Sequence, residues 1–155
     1  HAHLREDEIA FVVARMKELQ AKFGSHPLFH LVSVSLHPEH DTPAQLTKFI
    51  EAQEIDRSNW WFVTGDPKAL RYYMTKGFGF PPVRDVPPAE RINEFDLYDH
   101  KLAIALVDAQ SHVREYYSLD EPDAGIQRLV NEKMEKDIAA VLAEAEAGTP
   151  AAAAK

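Results

Sequence analysis

Eight histidines and no cysteine set the chemistry open to this chain of 155 residues. Without a thiolate there is no disulfide, no thiol redox catalysis or disulfide exchange, and no thiolate zinc or copper site. Imidazole is the leading borderline metal ligand left. Three histidines stand out: His37, His100, and His3 in the opening His1-Ala2-His3. Three imidazoles can hold Cu(II), Zn or Ni, whereas Cu(I) affinity comes largely from sulfur. The plainer reading is that they are solvated loop histidines. His37-Pro38-Glu39-His40 places two imidazoles three apart, but Pro38 bars a regular helix, so a turn is expected there. Glu6-Asp7-Glu8 could hold a hard cation, but such a run is also what a helix start favours. There is no Gly-rich phosphate loop and no Gly-x-Ser-x-Gly elbow, and neither Ser33 nor Ser35 has an evident base partner.

The elements that must position these residues follow from periodicity. Ile9, Val12, Val13, Met16, Leu19 and Phe23 recur at helical spacing over residues 7–23, and Gly24 ends that helix. Residues 29–36 alternate as a strand, with His37 at its carboxyl end. Thr42-Pro43 and Asp66-Pro67 each pair a capping side chain with proline at the first helical position. The first opens a helix carrying Leu46, Phe49 and Ile50. The second opens one carrying Leu70, Tyr73 and Met74 and ending at Gly77. Trp60–Val63 between them is a short strand. Residues 77–95 hold four prolines and form a long surface loop. Leu102–Val107 and Val113–Tyr117 make a hairpin turning at Asp108–Ser111. Pro122 opens a final helix with Ile126, Leu129, Val130, Met134, Ile138, Val141 and Leu142 on its apolar side.

Alternating helices and strands, then a hairpin and a closing helix, predict an α/β chain with a thioredoxin-like sheet: central, mixed, and flanked by helices. The first central strand is missing. A right-handed crossover needs a strand before the first helix, and residues 1–5 are too short and polar to supply one. We expect that strand ahead of His1 or filled from elsewhere. Residues 1–145 read as one domain, with 146–155 as an Ala-rich tail. The tryptophans Trp60 and Trp61 and the tyrosines Tyr72 and Tyr73 are candidates for a partner face, with at least half expected in or at the core. A net charge of −8 argues against nucleic acid or an anionic membrane as the main partner. No apolar run reaches the roughly 20 residues a bilayer span needs, so membrane attachment would require an anchor outside this sequence.

Three stretches resemble the Sco/SenC family, the thioredoxin-fold copper-handling proteins of cytochrome oxidase assembly. They are Val34-Ser35-Leu36-His37-Pro38-Glu39-His40-Asp41-Thr42-Pro43, Trp60-Trp61-Phe62-Val63-Thr64-Gly65-Asp66-Pro67, and Tyr98-Asp99-His100-Lys101-Leu102-Ala103-Ile104-Ala105-Leu106-Val107-Asp108. Ala14–Gln20 is similar to the helix that follows the family's metal-binding turn.

The resemblance implies copper as the metal, an extracytoplasmic location, a respiratory oxidase or similar complex as protein partner, and His100 as the retained ligand. His37 and His3 are its candidate companions; at position 37 the family usually has Asp. The family's two cysteines, spaced by three residues, would fall near Arg5 and Ile9, and neither position holds one. The expected function is therefore a Sco-like accessory protein for copper delivery or oxidase assembly. The alternative is a non-catalytic docking subunit that uses the 77–98 loop and nearby aromatics. No constellation for an enzyme is visible.

Overall fold

The structure is a computed structural model that describes residues 3–91, 97–99 and 102–148, with side chains from Ile9 onward. The chain divides into two compact units, His1–His100 and Lys101–Lys155.

The first unit opens with helix α1, His3–Phe23, and continues with strand β1, Leu31–Val34. Helix α2, Pro43–Ala52, strand β2, Trp60–Val63, and helix α3, Pro67–Tyr72, follow; a π-helical turn at Tyr73–Gly77 extends α3. Both cap-then-proline signals act as the residues require. The Thr42 side chain accepts from the Gln45 N–H, and Asp66 accepts from the Ala69 N–H at 2.8 Å, with Pro43 and Pro67 in the first turn where a missing N–H costs nothing. At the end of α1 the Gly24 N–H donates to the Gln20 carbonyl at 2.7 Å, and a Cβ at Gly24 would lie 2.3 Å from that same oxygen. Only glycine fits that close return.

β1 and β2 run parallel, Leu31 opposite Trp60 and Val34 opposite Val63. The ladder extends through the Ser35 N–H to the Val63 carbonyl at 2.9 Å. One face is core. Trp60 is 1% exposed, stacks on Phe62 at 5.4 Å, and donates from its indole to Ser33 Oγ at 3.0 Å. Val13, Met16 and Leu19 of α1, with Phe29, Leu31, Ile50 and Ile55, are also buried in this unit. Gln20 and Asn59 join α1 to the start of β2, Nε2 to Oδ1, at 2.7 Å.

Several expectations change here. α1 begins at His3 rather than near residue 7, so Glu6, Asp7 and Glu8 follow its opening residues instead of starting the helix. Its buried stripe starts at Val13; Ile9 is 47% exposed. Of the four aromatics weighed as core, only Trp60 is buried, while Trp61, Tyr72 and Tyr73 are exposed. Neighbours in a strand point to opposite faces, so Trp60 inward requires Trp61 outward. The proline-rich loop contains strand β3, Arg84–Asp85, paired antiparallel with β4, Tyr98–Asp99, and tied by Arg84 Nη2 to Asp99 Oδ2 at 2.6 Å.

In the second unit, β5, Ala103–Val107, and β6, Val113–Ser118, form the expected hairpin, with a bulge between Leu106 and Val107. Helix α4, Ala124–Glu146, is capped by Asp123, whose carboxylate accepts from the Gly125 and Ile126 N–H groups at 2.7 and 3.0 Å. Pro122 thus precedes the cap instead of opening the helix. Met134 and Ile138 are buried with Tyr117 and Leu119, whereas Ile126 and Leu129 on the first turns are exposed. The Tyr117 hydroxyl donates to Asp137 Oδ2 at 2.6 Å, and Arg114 holds Glu144 through both guanidinium nitrogens at 2.6 and 3.1 Å. Burial, the Asp137 carboxylate and the Glu115 charge all push the Tyr117 phenol well above the ordinary tyrosine range.

The strands pair as three two-stranded ladders, β1–β2, β3–β4 and β5–β6. The described chain starts inside α1, so no described residue supplies the strand expected ahead of that helix.

Asp108 organises the hairpin turn. Its Oδ1 accepts from the Gln110 and His112 N–H groups at 2.9 Å each, and its Oδ2 lies 3.5 Å from Arg114. Burial alone would raise this carboxyl's pKa. The His112 and Gln110 hydrogen bonds and the His112 and Arg114 charges outweigh it, leaving the group below the ordinary aspartate value. A depressed pKa stabilises the fold above the unfolded value of about 3.9, and that contribution is lost as pH falls through the lower folded value. We expect Asp108→Asn to lower stability at neutral pH and to flatten the acid limb of an unfolding-versus-pH curve below about pH 4. Superimposable acid limbs for the two proteins would refute the assignment.

Candidate site at the carboxyl ends of the parallel strands

His37 follows β1 on a loop closed by its own polar groups. The His37 N–H donates to Ser35 Oγ at 3.0 Å, and the Ser35 hydroxyl donates to Asp41 Oδ2 at 2.6 Å. The other Asp41 oxygen lies 3.1 Å from His40 Nδ1. The His37 carbonyl accepts from the N–H groups of both His40 and Asp41, at 3.0 and 2.9 Å. Pro38 is buried beneath this turn. The turn expected from His37-Pro-Glu-His40 is therefore present, and it brings the two imidazoles together. Their rings are near-parallel, 17° apart with centroids at 5.7 Å.

Tyr98, on β4, makes a T-shaped contact with His37, ring centroids 5.6 Å apart and planes at 74°. Behind Tyr98 lies Arg71 of α3, with Cζ 4.6 Å from the tyrosine ring centroid. Arg71 Nε and, just past β2, Thr64 Oγ1 are buried with no hydrogen-bond partner among the described residues. Carboxyl ends of strands are where α/β folds collect ligand sites, because the loops there are free to vary. This one gathers two imidazoles, a carboxylate, a phenol and a guanidinium.

Of the three histidines singled out for metal binding, only His37 has a described side chain. His100 lies outside the described residues. His3 opens α1, and its side chain is outside them as well. Among the described residues no group of three or more His, Asp or Glu is placed to hold a metal ion. A metal bound in plane by both His37 and His40 would need one ring to turn, since a σ-donated lone pair lies in its own ring plane. The thiolate pair of a Cu(I) site does not fit this chain at all, which has no cysteine. Arg71 was missed by sequence reasoning. Its link to Tyr98 is made across the fold, and no local spacing signals it.

Among the described residues no helix is long and apolar enough to cross a membrane. No curated protein matches the chain. Solved structures do. A SCO1/SenC family lipoprotein from Bacillus anthracis str. Ames superposes with a TM-score of 0.65 at 23% identity, over 85% of this chain and 71% of that one. BsSco, a member of the Sco family of cytochrome c oxidase assembly proteins for which a disulfide switch is described, gives 0.62 at 24%, over 83% and 69%. ScoI of Bradyrhizobium japonicum with copper bound is a weaker likeness, 0.47 at 18%, over 81% and 71%, and carries no weight for the fold. The first two likenesses establish a thioredoxin-like α/β fold of the Sco type. The sequence itself matches SCO1/SenC over residues 9–135, well over half its length, and the chain therefore belongs to the SCO1/SenC family.

Proposed function

We propose that this protein is a Sco-type accessory factor for the assembly of cytochrome oxidase or another respiratory complex, acting outside the cytoplasm on a protein partner. The family match across residues 9–135 carries this reading. Any metal it handles is held by imidazole, with His100 as the principal ligand and His37 and His3 as its companions, because the chain offers no thiolate. Borderline cations such as Cu(II) and Zn suit that ligand set. In this reading residues 1–145 work as one thioredoxin-like domain.

A second reading draws on the surface. Val32, Trp61 and Val63 are exposed on one face of the parallel ladder, His30 stacks on Trp61 at 4.7 Å, and Tyr72 and Tyr73 are exposed at the end of α3. Exposed aromatics of this kind are what docking surfaces are built from. On this view the chain assists assembly by binding a subunit, without metal.

Calorimetric titration of Cu(II) and Zn into the protein and into His100→Ala separates the two. The first reading expects micromolar or tighter binding that is lost in the variant. Absence of binding to either protein would remove the metal role and leave docking.

A further inference from the structure

The guanidinium of Arg71 has a seat but no acceptor among the described residues. It lies over the face of Tyr98, which orders the planar group. Its Nε is buried without a partner, and Arg71 makes no ion pair among the described residues. By contrast Arg15, Arg84, Arg114 and Arg128 each meet a carboxylate. A buried donor left unpaired is a cost that a bound acceptor removes. Position adds to this. Arg71 stands in the last turn of α3, and Tyr98 links it to His37 at the carboxyl end of β1.

We propose that Arg71, held on the face of Tyr98, is the receptor for a carboxylate. The ligand class follows from charge and shape. The site has one permanent cation, and the protein's net charge is −8. A single planar fork matches the single charge and planar geometry of a carboxylate, whereas a phosphate dianion would call for more cations than are present. The carboxylate belongs either to a free small acid or to an acidic side chain of a partner polypeptide. The proposal is independent of metal binding and stands even if the titrations above show none.

The test is a nitrogen-15 NMR titration of the whole chain that follows the Arg71 Nε–H and the Tyr98 backbone amide. The probes are sodium acetate, a glutamate-containing tripeptide blocked at both ends, and sodium phosphate, each against sodium chloride at equal ionic strength and fixed pH. A saturable shift is expected that chloride does not cause, that vanishes in Arg71→Gln, and that weakens about tenfold in Arg71→Lys, which keeps the charge but loses the fork. Equal affinity for acetate and tripeptide marks a free acid as sufficient. Tripeptide binding at least about tenfold tighter than acetate marks a partner polypeptide, through contacts beyond the carboxylate. The proposal fails if neither carboxylate gives a saturable shift, if the Tyr98 shift persists in Arg71→Gln, or if phosphate binds more tightly than both.

Discussion

Arg5→Cys combined with Ile9→Cys is expected to raise the Cu(I) affinity of this protein by several orders of magnitude. Both positions lie on α1, four residues apart, about one helical turn. Ile9 is 47% exposed, so a thiol there is accessible and its introduction opens no core cavity. These are the positions at which the family's cysteine pair would fall when counted back from Met16. Thiolates supply most of the affinity of Cu(I) sites, which is why the present chain should compete poorly for that ion and the variant well. Competition against a chromophoric Cu(I) chelator under reducing conditions measures the change. Adding His100→Ala to the double variant should then weaken binding by about 10–100-fold or more, if the imidazole joins the two sulfurs. Equal competition by the starting chain and the double variant would show that the positions are misplaced. A gain indifferent to His100→Ala would remove that residue from the site.

Trp60→Ala is the second large effect, and it falls on stability. The indole is essentially inaccessible, stacks on Phe62, and donates to Ser33 on the neighbouring strand. Truncating a buried aromatic of this size removes transfer energy and leaves a cavity, together costing about 3–5 kcal/mol. That is a large share of the roughly 5–15 kcal/mol that holds an ordinary domain together. Trp61→Ala provides the control. It is adjacent in sequence but faces outward, and exposed substitutions of this sort shift stability by about 0.5 kcal/mol or less. Urea unfolding followed by circular dichroism reads both. A larger loss for Trp61→Ala than for Trp60→Ala would mean that the strand presents the opposite face to the core from the one described, since a slip of one residue inverts every side chain.

The contrast between those two tryptophans marks how far the chain was legible. Local signals gave the elements: Thr42-Pro43, Asp66-Pro67 and Gly24 act through hydrogen bonds and φ preferences a few residues long, and each works as the residue types require. The hairpin and the closing helix were equally local, although Asp123 rather than its neighbour Pro122 sets the helix start. The histidine turn also followed from the sequence, because Pro38 disfavours a regular helix running through His37–His40.

Which side of an element meets the core was decided only by tertiary structure. A helix such as α4 carries apolar residues along its length. Met134 and Ile138 are buried where β6 lies against the helix, while Ile126 and Leu129, equally apolar, are left exposed because burial depends on what another element covers. The same holds for the candidate site. His37 could be placed at a strand end from sequence. Its neighbours Tyr98 and Arg71 come from distant segments, joined by ring stacking and edge contacts that leave no periodicity in the chain. The absence of cysteine was plain from the residues alone and excludes thiolate copper chemistry in any conformation. The placing of the Arg71 guanidinium on the Tyr98 ring joins α3 to β4, because pairing between distant segments depends on three-dimensional closure.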